Sequence, residues 1–132
     1  MKAIAVDISG RHRLDDGRYH LVCVAVLAAL SPFDMEKIED MRIYKEAADD
    51  VSIDTIADLV KKACSRYKGI ILAERERGEF YNSPEWRVEA ILGRKFKYAE
   101  SVGERKAIEV AHHVSLAVHR MLHERGNTGQ KD

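Results

Sequence analysis

The sequence predicts an α/β domain on a mixed sheet of five strands, with elements in the order β-β-β-α-β-α-β-α. Three observations carry that expectation. Two apolar runs near the start, Ala3 to Ile8 and Arg18 to Leu30, flank a polar tip, as in a hairpin. Shorter apolar runs then alternate with amphipathic stretches, the pattern of crossover connections between parallel strands. The length of 132 residues suits one domain, placed at 1–125 with a polar, aperiodic tail at 126–132.

Each element has its own local reason. Ala3 to Ile8 is β-branched and apolar and stops at Ser9-Gly10, which reads as a buried strand. Asp15-Asp16-Gly17 is turn chemistry, and Val22, Val24 and Val26 then alternate around Cys23 and Ala25. Ser31-Pro32 breaks the chain. From Asp34 to Asp50 the Glu and Lys content suits a helix nearly as well as a strand. The alternation of Met41 and Ile43 with Arg42 and Tyr44 favours a third, edge strand.

Ser52 to Tyr67 places Ile53, Ile56, Ala57, Val60, Ala63, Cys64 and Tyr67 at three-four spacing, a helix with one apolar face. Gly69 to Glu74 is a buried strand centred on Ile70, Ile71 and Leu72. Ser83-Pro84-Glu85 is a helix start, with Ser as N-cap, Pro in the first helical position and an acid in the first turn. That helix carries Trp86, Val88, Ala90, Ile91 and Leu92, with Trp86 read as core, and Gly93 ends it. Arg94 to Ala99 alternates basic and aromatic residues as a half-wet strand. A final helix from Val102 to about Glu124 has Ala107, Ala111, Val114, Val118 and Met121 as its apolar stripe.

Composition narrows the function classes. Lys and Arg number 22 and Asp and Glu number 22, so a general nucleic-acid coat is disfavoured and any polyanion site must be local. Two unclustered cysteines, Cys23 and Cys64, fall on apolar positions and suggest neither a disulfide framework nor zinc. The longest apolar run, Leu21 to Leu30, is about half of what a membrane span needs, and no leader-like segment opens the sequence. A soluble, cytoplasmic protein is expected. No phosphate-binding glycine loop, Ser-His-Asp order or paired CxxC occurs.

Asp7 and Glu74 close two strands that would be parallel neighbours, at the carboxyl edge where open sheets bind ligands. Glu104 lies on the sheet-facing side of the last helix. Three carboxylates held close repel one another unless a cation compensates, and hard oxygen ligands suit Mg²⁺ or Mn²⁺. Each acid has a plainer reading: Asp7 as a turn residue, Glu74 as part of the solvated Glu74-Arg75-Glu76-Arg77 run, and Glu104 as the acid of a Ser101-x-x-Glu104 capping box. His112, His119 and His123 share a helix side with Arg105, Glu109 and Leu116. That side is read as solvated or partner-facing, with Leu116 a hint of a homodimer contact.

The element order resembles the ribonuclease H-like superfamily, especially RuvC-type Holliday-junction resolvases and their YqgF relatives. Ala3-Ile4-Ala5-Val6-Asp7 with Gly10 is similar to their opening strand, Ile70-Ile71-Leu72-Ala73-Glu74 to their fourth, and Glu104 stands near the start of the last helix, where they place a further acid. Two departures stand out: Ala107 occupies the position of a second helix acid, and the Asp7-Ile8-Ser9-Gly10 turn is one residue longer. In general character the chain is also similar to uncharacterised archaeal proteins of its size. The resemblance implies a metal-dependent nuclease using Asp7, Glu74 and Glu104 on structured DNA or RNA; for such a site Arg11 and Arg13 in the hairpin tip, and Arg75 and Arg77 after the fourth strand, are placed to contact phosphates. The open alternative is a scaffold of that fold that binds nucleic acid or protein without catalysis.

Overall fold

The structure, a computed structural model, describes the backbone of residues 1–131 and the side chains of residues 1–123. Among the described residues the elements are β1 (Lys2–Ser9), β2 (Tyr19–Leu30), β3 (Met35–Ala48), α1 (Ile53–Cys64), β4 (Ile70–Ala73), α2 (Glu85–Leu92), β5 (Phe96–Tyr98) and α3 (Val102–Lys131). The expected tail, 126–132, lies outside the residues whose side chains are described. No helix of the described residues is long and apolar enough to cross a membrane.

The strands form one open sheet in the order β3-β2-β1-β4-β5. β1 pairs antiparallel with β2 and β2 with β3, while β1–β4 and β4–β5 are parallel. The ambiguous segment from Asp34 to Asp50 is therefore a strand. It can be one because β2 supplies a long partner and its apolar residues need cover on one side only.

Alternation along β1 assigns the two faces. Ile4, Val6 and Ile8 join the cluster under α1 and α2, which includes Ile56, Leu59, Val60, Val88 and Phe80. Ala3 and Ala5 face α3 with Val22, Val24, Val26, Leu72, Ala107, Ile108 and Ala111. Alanines on both the sheet and the helix let α3 lie close over β1. Gly103 begins this approach: a Cβ there would stand 2.0 Å from the Ser31 carbonyl oxygen.

Three local expectations need correction. α2 starts one residue late, with Pro84 in the cap position and no side-chain cap, because Glu85 turns to accept from the Tyr98 amide at 2.9 Å and the Tyr98 hydroxyl donates to the Ser83 carbonyl at 2.5 Å. Trp86 is not core but 71% exposed, since α2 buries only Val88 and Leu92. On α3 the buried stripe runs through Ala107, Ile108 and Ala111, Val114 and Val118 are half-buried, and Met121 is exposed. Met121 points away from the sheet, while His123 still packs against His20 of β2.

Candidate active site at the carboxyl edge of β1 and β4

The last parallel pair of β1 and β4 is Ala5 opposite Leu72, and two residues further along each chain stand Asp7 and Glu74. Ala5 and Leu72 both face α3, so period-two alternation aims both acids at that helix. Glu74 is exposed and lines a cleft of about 700 Å³ with Arg75, Arg105, Glu109 and His112. Asp7 lies buried behind this cleft, with its Oδ2 3.3 Å from His112 Nδ1. The helix therefore brings His112 and Glu109, three residues apart and on neighbouring positions of one face, to the acids.

Glu104 does not join them. It stands eight residues before His112, roughly 12 Å along the helix axis at 1.5 Å per residue. Its Oε1 accepts from the Glu100 and Ser101 amides at 3.0 Å each, and Ser101 Oγ accepts from the Glu104 amide at 3.2 Å. Lys97 Nζ sits 3.0 Å from its Oε2. Burial alone would raise its pKa, but the two amides and Lys97 outweigh that and hold the carboxyl below its ordinary value. This is the capping box, complete and ion-paired. It occupies Glu104 at the other end of the sheet.

Asp7 has company that the sequence did not reveal. Ser115 Oγ donates to Asp7 Oδ2 at 2.6 Å and lies 2.7 Å from Ser9 Oγ. Glu79 is fully buried, and its Oε1 accepts from the Ile8 amide at 3.0 Å. The other oxygen, Oε2, meets no donor as long as Glu79 is ionised. Burial first, then the charge of Asp7 and a hydrogen bond to it, push the Glu79 pKa up to about 8. A proton on Glu79 turns two repelling acids into a carboxyl–carboxylate pair. The strap that returns Glu79 to β1 is tight. Arg77, Tyr81 and Asn82 are left-handed, and a Cβ on Gly78 would stand 2.0 Å from the Glu74 carbonyl oxygen.

The arginines divide by role. Arg11 donates to the carbonyls of Gly78 and Arg77 at 3.2 and 3.1 Å, so it braces this strap. Arg13 donates to the carbonyls of Gly17 and Asp49 and stacks over Tyr19, holding the hairpin tip. Arg75 lies over the Tyr98 ring at the cleft, while Arg77 is exposed and not part of the cleft lining. On the helix side expected to be solvated or partner-facing, His119 and His123 are instead half-buried: His119 packs against Gly10 and His123 against His20. Among the described residues no three His, Cys, Asp or Glu side chains converge closely enough to hold an ion as placed.

The family described as "Uncharacterized protein conserved in archaea (DUF2209)" matches residues 4–123, which span β1 through the site-bearing part of α3. The chain belongs to this archaeal family. Uncharacterized protein MJ0095 of Methanocaldococcus jannaschii is 30% identical over 123 residues, spanning 90% of this chain and 94% of that protein. The archaeal character expected from the sequence is thus met. No solved structure matches the chain. Asp7, Glu74, Glu79, Glu109, His112 and Ser115 all lie within the part matched by the DUF2209 family.

Proposed function

We propose that this DUF2209 protein is a divalent-metal-dependent nuclease on a ribonuclease H-like scaffold, with its site in the cleft beside Asp7. One observation carries the reading: Glu74, Glu109 and His112 line one cleft at the carboxyl edge of two parallel strands, and His112 links that cleft to the buried Asp7. The strand order and the placement of α3 opposite α1 and α2 support the scaffold.

The donor set fits Mg²⁺ or Mn²⁺ in chemistry: three carboxylates and an imidazole, without a thiolate. Glu74 and Glu109 are exposed and free to turn inward, whereas Glu104 is not part of the set. A bound ion would supply an activated water and charge stabilisation for phosphodiester cleavage. Within the chain, Ser115 fixes the orientation of Asp7, His112 reads its charge from the cleft side, and Arg75 and Arg105 are placed for phosphate oxygens.

A second reading, a nucleic-acid- or protein-binding module without catalysis, is favoured by the Asp7–Glu79 pair, which accounts for a buried Asp7 with a proton instead of a metal. Melting the protein with Mn²⁺ or Mg²⁺ and assaying cleavage of junction, hybrid and single-stranded substrates separates the two. The nuclease reading expects a metal-dependent rise in Tm and cleavage that Asp7→Asn abolishes and Glu104→Gln leaves intact. Wild type without a metal-induced shift and without cleavage leaves the binding module standing.

A further inference from the structure

β3 is the outer strand of the sheet, 14 residues long and far from the cleft. Its ladder with β2 skips two residues: pairing steps from Asp40 to Ile38 past Glu39, and from Lys37 to Met35 past Glu36. The remaining positions sort cleanly by face. Met35, Ile38, Met41, Ile43 and Lys45 lie opposite Leu30, Ala28, Val26, Val24 and Val22, all in the core beneath α3. Lys37, Asp40, Arg42 and Tyr44 occupy the other face. Ile38 and Ile43 are 40% and 44% exposed, whereas Met35 and Met41 on the same face pack against the cluster beneath α3.

This order is self-complementary. We propose that the partner of the β3 edge is a second copy of the chain, its β3 running antiparallel with Met41 opposite Met41 on a two-fold axis. Counting outward along the ladder, Ile38 then meets Ile43 of the partner subunit, Asp40 meets Arg42 of the partner subunit, and Lys37 meets Tyr44 of the partner subunit. Each pair lies on one face of the joined sheet, as direct cross-strand pairing requires. On the α3 side, Ile38, Met41 and Ile43 of both copies make one apolar row. The other side carries an opposite-charge pair and a cation over a ring. Moving the axis one position either way places Asp40 opposite itself or Arg42 opposite itself, and like charges reject both registers.

The edge is also guarded. Asp40 Oδ1 accepts from the Met41 amide at 2.8 Å, and the skipped glutamates kink the strand. Pairing moves that amide to the partner's backbone and turns Asp40 toward the partner's Arg42, so association with other strand edges is disfavoured while this register compensates the loss. Arg42 commits Nη1 to the Lys62 carbonyl and Ser65 hydroxyl, which fixes its guanidinium against the end of α1 and leaves Nη2 for the partner's Asp40.

Sedimentation of the full chain and Met41→Cys cross-linking test the register. Directly opposed residues of a hydrogen-bonded antiparallel pair stand about 5.5 Å apart, within disulfide reach. M41C should therefore oxidise to a covalent dimer, while Cys23 and Cys64 are buried and do not compete. I38K and I43E, both at exposed positions, should each weaken dimerisation about tenfold. Mixing the two variants should restore a heterodimer, because one introduced lysine meets one introduced glutamate and the other contact stays Ile with Ile. A wild type that sediments as a monomer throughout the micromolar range overturns the proposal. So does a dimer that persists in both variants, or an M41C protein that fails to cross-link.

Discussion

Two buried glutamates stand at opposite ends of this sheet, and they are neutralised in different ways. Glu104 opens α3 with two amides and Lys97 around it, so its charge is satisfied by the fold itself. Glu79 faces Asp7 with its Oε1 on the Ile8 amide, and burial beside that acid pushes its pKa up to about 8, which favours a proton on it. The first arrangement is complete without any ligand. The second leaves a buried carboxyl short of donors, beside an acid that His112 links to an open cleft. The difference teaches that a buried acid becomes a candidate for chemistry when its surroundings leave it short of donors.

Removing Glu104 should break the contrast most forcefully. Glu104→Ala loses the reciprocal cap and leaves Lys97 without its partner, with an expected cost of about 2 kcal/mol in urea unfolding and no change in metal response. A loss below a few tenths of that would mean the cap contributes little. Glu79→Gln acts next and depends on pH. The folded pKa of Glu79 is raised above its ordinary value, so its contribution is complete below about 4.5 and is lost as pH rises toward about 8. The variant should therefore melt higher than wild type at pH 8 and lower, relative to wild type, at pH 5. Melting curves whose difference is the same at both pH values contradict the shared proton. Glu74→Gln should change stability least, within about 0.5 kcal/mol for an exposed side chain. It should still remove most of the Tm gain from Mn²⁺; an undiminished gain excludes Glu74 as a ligand.

Much of the architecture was legible because it rests on local rules. The β1–β2 hairpin followed from apolar alternation around a polar tip, and α1 from its spacing and the Ser52 cap, whose Oγ accepts from the Thr55 amide. The capping box of Glu104 was legible too, as the plainer of two readings. Misjudged positions are those that depend on where an element ends relative to the sheet. Trp86 has an apolar side chain on a helix too short to bury it. His112 falls on the solvent side of a helical wheel, yet the rim of the cleft places it against Asp7. Glu79 sits in an aperiodic charged loop, and its burial comes from the strap folding back on Ile8. Its only local sign is an acid between Gly78 and the buried Phe80.

The hydroxyls of Ser9 and Ser115 carry one further consequence. Ser115 has a single hydrogen and gives it to Asp7, so the hydrogen between the two serines must come from Ser9. The short chain thus has a direction, set by the negative charge at its end. One carboxylate oxygen thereby sets two hydroxyls in line and ties β1 to α3 through them, as a single peg holds two links.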